Sequence, residues 1–495
     1  MKSILAIDQG TTSTRSLVID VQGRVAARAQ VELPQSYPRP GWVEHDPEAI
    51  WRDVVATARQ ALAEAEAGGH EIAAIGIANQ RETFVVWDRS TGRAVYPAIV
   101  WQDRRGAELC DRLAKEGAEE GVSEISGLVL DSYFSASKLA WLLDAVPGLR
   151  QRAEEGSVAF GTIDCFLLWK LTEGQVHATD PTNAARTLLF DIARMDWSED
   201  LCRLFGVPRA MLPEVRDNDA LFGVASAAVL GRAIPIRGMA GDQQAALIGQ
   251  HCLSPGCIKI TYGTGAFGLM HTGETISRSR HRLLSTVAYR AAARTCYALE
   301  GSIFVAGAGV QWLRDRLGII GTAQETEALA RSLPDNGGVY LVPAFSGLGT
   351  PHWDSNARAL LCGMTLGTSA AHVARALLEA VAYQSDELVG TMRADSGIGA
   401  ALLRVDGGMA QNDWLCQFLA DILATPVSRP ANVEATALGA AFLAGTSAGI
   451  WQSLAQTPIS AHGADFEPVL EPCERERLLG GWRDAVSRAR QGAYQ

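Results

Sequence analysis

Asp8-Gln9-Gly10-Thr11-Thr12-Ser13-Thr14-Arg15 is the stretch on which the reading of this chain turns. Ser3-Ile4-Leu5-Ala6-Ile7 before it is a short apolar run that predicts a buried strand. Ser16-Leu17-Val18-Ile19-Asp20 after it predicts a second strand, and Val21-Gln22-Gly23-Arg24 turns the chain into a third. An acid at a strand end followed by a Gly-Thr-Thr-Ser turn makes a cup of backbone N–H and hydroxyl donors, and Arg15 adds positive charge beside it. Such a cup suits a polyphosphate, and Asp8 suits the hydrated cation that travels with one. The competing reading is a polar hairpin with a surface acid.

Near Gly256 the pattern returns. Cys257-Ile258-Lys259-Ile260-Thr261-Tyr262 predicts a strand, Gly263-Thr264-Gly265 a turn, and Ala266-Phe267-Gly268-Leu269-Met270 a strand. The repetition predicts two structural repeats, each opening with a phosphate loop and facing the other across a cleft, with Pro255-Gly256 at the junction. A third glycine turn follows the strand Leu402-Leu403-Arg404-Val405-Asp406 as Gly407-Gly408-Met409-Ala410-Gln411-Asn412. Two glycines after a strand let a flat or anionic ligand approach the backbone closely.

Further polar clusters close other expected strands. Ile72 to Ala78 ends at Asn79-Gln80-Arg81-Glu82. Phe84 to Trp87 and Ala94 to Trp101 read as a hairpin that ends at Trp101-Gln102-Asp103-Arg104. Ligands in α/β proteins gather at such ends, whereas an isolated Arg81–Glu82 pair would be a solvated ion pair and a lone Trp101 a core residue. The strand Pro235 to Met239 leads into Ala240-Gly241-Asp242-Gln243-Gln244 and a helix of small residues. Asp242 sits where an N-cap belongs, so capping is its structural alternative to chemistry. Asp46 with Pro47 caps an earlier helix. Long helices are expected over about 369–392 and 434–444, the latter so rich in Ala and Gly that it must pack closely.

Composition bounds the rest. At 495 residues, 47% apolar and 20% charged, the chain has more than one domain and a sizeable core. A net charge of −11 argues against a nucleic-acid binder, though local donors and one cation suffice for a phosphate. Nine cysteines in apolar contexts, without a C-x-x-C pair, read as reduced thiols of a cytoplasmic protein. Cys252 and Cys257 read as packing. The start is too short for a signal peptide, and no apolar run spans a membrane. If the first two turns grip the phosphates of a nucleotide and the third its base, Asp242 stands near the terminal phosphate. That is the layout of phosphoryl transfer to a hydroxyl. The rival from another class is a nucleotide-driven conformational protein without transfer, against which Asp242 argues.

These motifs, in this order, resemble the FGGY carbohydrate kinases. The resemblance rests on Ala6 to Ser13, Gly41-Trp42-Val43-Glu44-His45-Asp46-Pro47, Asn79 to Thr83, Ala98-Ile99-Val100-Trp101-Gln102 and Gly161-Thr162-Ile163-Asp164. It continues through Thr182-Asn183-Ala184, Ala240 to Leu247 and Thr261 to Gly265, and so covers nearly the whole chain. It implies an α/β fold of two ribonuclease H-like, actin-like domains (the sugar kinase/actin/heat-shock chaperone fold) flanking a catalytic cleft. Domain 1–253 would hold the polyol site and the first phosphate loop, and 254–495 the second phosphate loop and the adenosine site.

The implied activity is ATP- and Mg²⁺-dependent phosphorylation of glycerol to sn-glycerol 3-phosphate, with erythritol or dihydroxyacetone as alternative substrates. Arg81, Glu82, Tyr133, Asp242 and Gln243 are implied to hydrogen-bond the polyol, and Trp101 and Phe267 to cover its carbons. Asp242 is the implied base, and Asp8 with Asp242 the metal-side carboxylates. Thr11, Thr12, Ser13, Arg15, Thr264, Gly307, Gln311, Gly408 and Asn412 match nucleotide contacts. A homo-oligomer, dimer or tetramer, is the expected assembly. The chain departs from the family at Ala228-Val229-Leu230-Gly231-Arg232-Ala233-Ile234-Pro235. There, some members carry a Gly-Gly-Lys-Gly-Gly-Thr-Arg-like loop for an inhibitory sugar bisphosphate, so that feedback is not expected. Ser132, Thr350, His352 and Met409-Ala410-Gln411 also differ from the common pattern and could tune the pocket toward a related polyol.

Overall fold

The computed structural model describes residues 1–431, 434–459 and 462–491. The opening stretch forms the hairpin its pattern predicts: Lys2–Gln9 pairs antiparallel with Ser13–Asp20, setting Asp8 opposite Arg15. Val25–Glu32 extends the hairpin on one side. On the other, Glu71–Asn79 pairs parallel with the first strand and Ile234–Gly241 parallel with Glu71–Asn79. Gly223–Ala225 completes a six-stranded sheet. The inner strands are near-continuous apolar runs because helices cover both faces. The helix Pro47–Ala67 starts at Asp46, whose carboxylate accepts from the Glu48 amide, and supplies the crossover from Val25–Glu32 to Glu71–Asn79.

The second sheet repeats the plan. Cys257–Tyr262 pairs antiparallel with Ala266–Gly273, which pairs with Arg294–Ile303. On its other side Cys257–Tyr262 pairs parallel with Leu402–Asp406, which pairs parallel with Val427–Pro430. Leu284–Ala291 and His462–Phe466 close the two edges of this seven-stranded sheet. The helix Ala370–Ser396 buries one stripe against it.

Two elements differ from their sequence reading. Phe84–Asp88 is a strand, but its long partner is Val158–Thr162, with five paired positions. The residues before Trp101 meet it only at Phe84–Ile99 and an isolated Trp87–Ala94 bridge. The stretch over 158–171, read as mixed, resolves into this buried strand and the helix Ile163–Leu171.

The helix Ala435–Ser447 belongs to the second half of the sequence but lies on the first sheet and on the helix Asp242–Gly249. Its small side chains permit that: a Cβ on Gly439 would run into the Ala245 backbone, and one on Gly249 into that of Ala435. No helix among the described residues is long and apolar enough to cross a membrane.

Candidate functional site

Three parallel strands of the first sheet end side by side, and their ends build the floor of a pocket. Gln80, just past Glu71–Asn79, donates from its amide to Gln9 Oε1 and to the Gly10 carbonyl, both at 3.1 Å, tying two of those ends together. Its own oxygen accepts from Thr83 Oγ1 at 2.9 Å. The turn between forces Glu82 to φ 60°, a left-handed backbone that a non-glycine residue adopts at a cost. Ser135 Oγ holds the Glu82 carbonyl at 2.7 Å. The third strand, Ile234–Gly241, delivers Asp242. The helix cap is Gly241, and Asp242 is the first helical residue, so the capping reading gives way. Its Oδ1 accepts from the Gln243 amide at 2.6 Å and lies 3.3 Å from Arg81 Nε. None of the described residues donates to Oδ2.

Around Asp242 lie three cations, Arg81, Arg186 and Lys259, and two carboxylates, Glu82 and Glu300, so that with Asp242 the set is formally neutral. Arg81 makes a two-pronged contact with Glu300, at 2.6 and 3.0 Å. Arg186 bridges Glu82 at 2.6 Å and Glu300 at 3.1 Å, and Lys259 Nζ donates to Gln243 Oε1 at 2.7 Å. The Arg81, Glu82, Arg186 and Glu300 side chains are at most 4% exposed, whereas Asp242 is 31% exposed, so it alone of these five opens to a ligand. Burial pushes the Glu300 carboxyl up, but Arg186 and Arg81 outweigh it and hold it at about 2. Burial wins at the other carboxylates. It lifts Asp242 and Glu82 above the ordinary range despite Arg81 and Arg186. It lifts Asp8 to about 6, Arg15 pulling down and Asp242 adding to the rise.

The pocket has a volume of about 180 Å³. Thr11, Arg81, Glu82, Trp101 and Tyr133 line it from the first half, with Asp242 and Gln243 at the helix start. Phe267 faces them from the second sheet. All seven residues expected around a polyol are therefore together. Trp101 and Tyr133 meet edge to face, 5.6 Å between ring centroids. The buried Lys138 ties their loops by donating to the Tyr133 carbonyl at 2.9 Å and the Trp101 carbonyl at 3.3 Å.

Sequence reasoning gave no role to Lys138, Lys259 or Glu300; Arg186 it placed only in a polar stretch, His177 to Arg186, that resembles a loop lining a cleft. The signal was there for Lys259 and Glu300: a single charge inside an apolar strand, as in Ile258-Lys259-Ile260 and Leu299-Glu300-Gly301, must find a partner.

A larger cavity of about 400 Å³ lies in the second half. Thr264, Gly307, Gln311, Gly408 and Asn412 line it, as expected, together with Arg314, Thr326 and Glu327. Thr12, Ser13 and Arg15 line neither cavity. Arg15 is turned to Asp8 at 2.8 Å and to Glu434 at 3.0 Å. Among the described residues no group of three or more His, Cys, Asp or Glu gathers as a metal cage. Cys252 and Cys257 lie 3.0 Å apart as free thiols.

Paired α/β halves, a buried ionic pocket at the strand ends of one and a glycine-lined cavity in the other place the chain in a family: it belongs to the FGGY family of carbohydrate kinases. The family's N-terminal domain profile matches residues 3–249 and its C-terminal domain profile residues 258–448. The chain is similar to the glycerol kinase of Rhodospirillum centenum, 58% identical over 491 residues covering 99% of this chain and 98% of that one. It is similar to that of Gluconobacter oxydans, 57% identical over 98% of this chain and 95% of the other. Its fold matches the crystal structure of Plasmodium falciparum glycerol kinase with ADP at a TM-score of 0.95 and 37% identity, covering 99% and 98% of the two chains.

Proposed function

We propose that this protein transfers the terminal phosphoryl group of ATP to glycerol, forming sn-glycerol 3-phosphate and ADP. The observation that carries the reading is the small pocket. Arg81, Glu82, Tyr133, Asp242 and Gln243 offer hydrogen bonds, and Trp101 and Phe267 offer apolar faces, within about 180 Å³. A short triol needs that mixture, and a site built of hydrogen bonds rejects analogues that lack a hydroxyl. Relatives named glycerol kinase at up to 58% identity over nearly the full length support the same substrate.

In this reading Asp242 is the general base. None of the described residues donates to its Oδ2, and its raised pKa suits it to take the proton of the attacking hydroxyl. Arg81 and Gln243 donate to the polyol, and Glu82 and Tyr133 accept or share protons with it. Trp101 and Phe267 hold the carbon chain and exclude water, which would otherwise receive the phosphoryl group. Thr264, Gly307, Gln311, Gly408 and Asn412 bind the nucleotide, and Thr11, Thr12, Ser13 and Arg15 approach its phosphates from the first turn. Asp8 Oδ2 is buried with Arg15 Nη2 at 2.8 Å as its charge partner, and none of the described residues donates to Asp242 Oδ2, so the two carboxylates fit the hydrated Mg²⁺ that accompanies ATP. When bound, Mg²⁺ neutralises phosphate charge as it develops on the leaving group.

The division of labour follows the halves 1–253 and 254–495, with the Ala435–Ser447 helix returning to the first sheet. Nine free thiols support a reducing, cytoplasmic setting. A dimer or tetramer is the proposed assembly, which light scattering on the purified protein tests. The function is tested by coupled ADP detection over a panel of polyols with product identification. Glycerol should give the highest kcat/KM, and a higher value for erythritol or dihydroxyacetone overturns the assignment.

A further inference from the structure

Lys259 and Glu300 are ionic groups that the second sheet sends into a pocket built mainly by the first half. Both are buried. Lys259 stands opposite Leu269, and Leu269 opposite Glu300, so the three form one row across three strands and point to one face. Phe267, two residues before Leu269, shares that face and lines the pocket. A charge inside a buried strand is costly unless it is met, and the partners that meet these two belong to the polyol site.

Lys259 Nζ donates to Gln243 Oε1 at 2.7 Å and so fixes which way the amide is turned, with its –NH₂ left for the pocket. Glu300 occupies one hydrogen on each terminal nitrogen of Arg81, Gln244 Oε1 takes another at 3.3 Å, and Asp242 Oδ1 faces Nε. Of the five guanidinium hydrogens, one on Nη2 remains. Arg186, itself held by Glu300, takes Glu82 Oε1, leaving Oε2 without a donor among the described residues. Asp242 Oδ2 is likewise free. This accounting leaves two donor nitrogens, Gln243 Nε2 and Arg81 Nη2, and two carboxylate oxygens, Glu82 Oε2 and Asp242 Oδ2, in a lining that also holds the Tyr133 and Thr11 hydroxyls: one nitrogen and one carboxylate oxygen for each of two hydroxyl groups.

We propose that Lys259 and Glu300 are positioning residues. By occupying the Gln243 carbonyl and the Arg81 fork they fix a two-donor, two-acceptor pattern that selects adjacent hydroxyls, and the pocket has that pattern only with the second half docked on the first. The inference rests on the reading of the site as a polyol pocket and adds its specificity device.

The test measures kcat and KM for glycerol, for 1,3-propanediol, which lacks the adjacent pair, and for ATP with the purified full chain. Lys259→Met frees the Gln243 amide to turn. The expected result is a glycerol KM about tenfold higher, a preference for glycerol over 1,3-propanediol about tenfold lower, and an ATP KM within about twofold of wild type. In a Gln243→Met background the same substitution should add nothing, because Lys259 acts through Gln243. Gln243→Glu keeps the contact to Lys259 as an ion pair but turns the cavity-facing donor into an acceptor, so it should lose the same preference while remaining folded. A glycerol KM within about twofold of wild type in Gln243→Glu overturns the proposal. So does a Lys259→Met effect that persists undiminished without Gln243, or one that raises both KM values in proportion. A wild-type protein that turns over no glycerol refutes the functional reading itself, whereas an active wild type with indifferent variants refutes only this inference.

Discussion

The two halves open on the same hairpin and put different chemistry on it. In the first, Gly10 N–H meets the Ser13 carbonyl at 2.9 Å; in the second, Gly263 N–H meets the Gly265 carbonyl at the same distance. Each hairpin has a parallel neighbour of the same kind, so that Asp8 sits beside Ala78 and Thr261 beside Asp406. From that common frame the first half builds a buried ionic pocket. The second builds a larger cavity lined by glycines, amides and apolar side chains, and Asp406 is turned aside to Gln250. The difference teaches what each ligand demands. A small polyol must be recognised by directional groups fixed beforehand, which charge networks supply. Phosphates and a flat base need backbone at close range, which glycine supplies.

If the charged half is where the chemistry occurs, its largest sensitivity is at Asp242. Asp242→Asn should lower kcat by about 100-fold or more while glycerol binding stays largely intact. The sign of the pH dependence follows from burial. The carboxyl is raised above 3.8, so turnover should fall as pH drops through that raised value, where the base becomes protonated, and be flat above it. A pH–kcat profile checks both points, since the residual activity of the Asn variant should lack this acid limb. Full kcat in the variant would remove Asp242 from the role.

The next effect is one of stability and distinguishes the two hairpins directly. Asp8 has a pKa raised from 3.8 to about 6, so the folded state holds the proton more tightly than the unfolded chain. Above pH 6 the buried charge opposes folding, and below 3.8 the penalty is gone. Asp8→Asn should therefore stabilise the protein alone at pH 8 by about 2 kcal/mol, a gain that fades by pH 4, while turnover falls. Thermal melts at the two pH values measure it. Thr261→Val at the matching place in the second half should show no such pH dependence.

Gly307 probes the other half. A Cβ there would lie 2.6 Å from the Gly263 carbonyl, within the backbone of the second turn. Gly307→Ala should raise the KM for ATP about tenfold and leave that for glycerol within about twofold. Equal effects on both would deny the separation of roles.

What the sequence made legible follows the same contrast. The hairpins, the Gly-Gly turn at Gly407–Gly408 and the strand-end clusters at Arg81–Glu82 and Asp242–Gln243 are local patterns, and each lies where its pattern predicts. The partners that make the pocket work are remote. Glu300 lies 219 residues from Arg81, and Arg186 lies 104 from Glu82. No periodicity reports such a pairing, because only tertiary packing brings the partners together: the docking of the two halves for Glu300 and the folding of the first half for Arg186. Arg15, read from the sequence as a phosphate contact, is paired here with Asp8 and Glu434. The strand Phe84–Asp88 found its partner 74 residues away in Val158–Thr162, a run buried along its whole length, rather than in the next segment.

The smallest expected effect lies where the first hairpin touches the polyol wall. Trp101 Nε1 donates to Thr11 Oγ1 at 3.0 Å, so one hydrogen bond joins the first turn to the aromatic wall of the small pocket. Valine has threonine's shape without the acceptor, and a bond of this kind is worth about 1 kcal/mol. Thr11→Val should thus raise the glycerol KM about fivefold with the fold intact. Trp101→Phe removes the same bond from the other end, together with part of the aromatic face, and should cost more. If the bond is what couples the turn to the wall, the double variant should be no worse than Trp101→Phe alone. Additive losses would instead mean that turn and wall act on the substrate independently. The contrast between the halves would then rest on the ionic network alone.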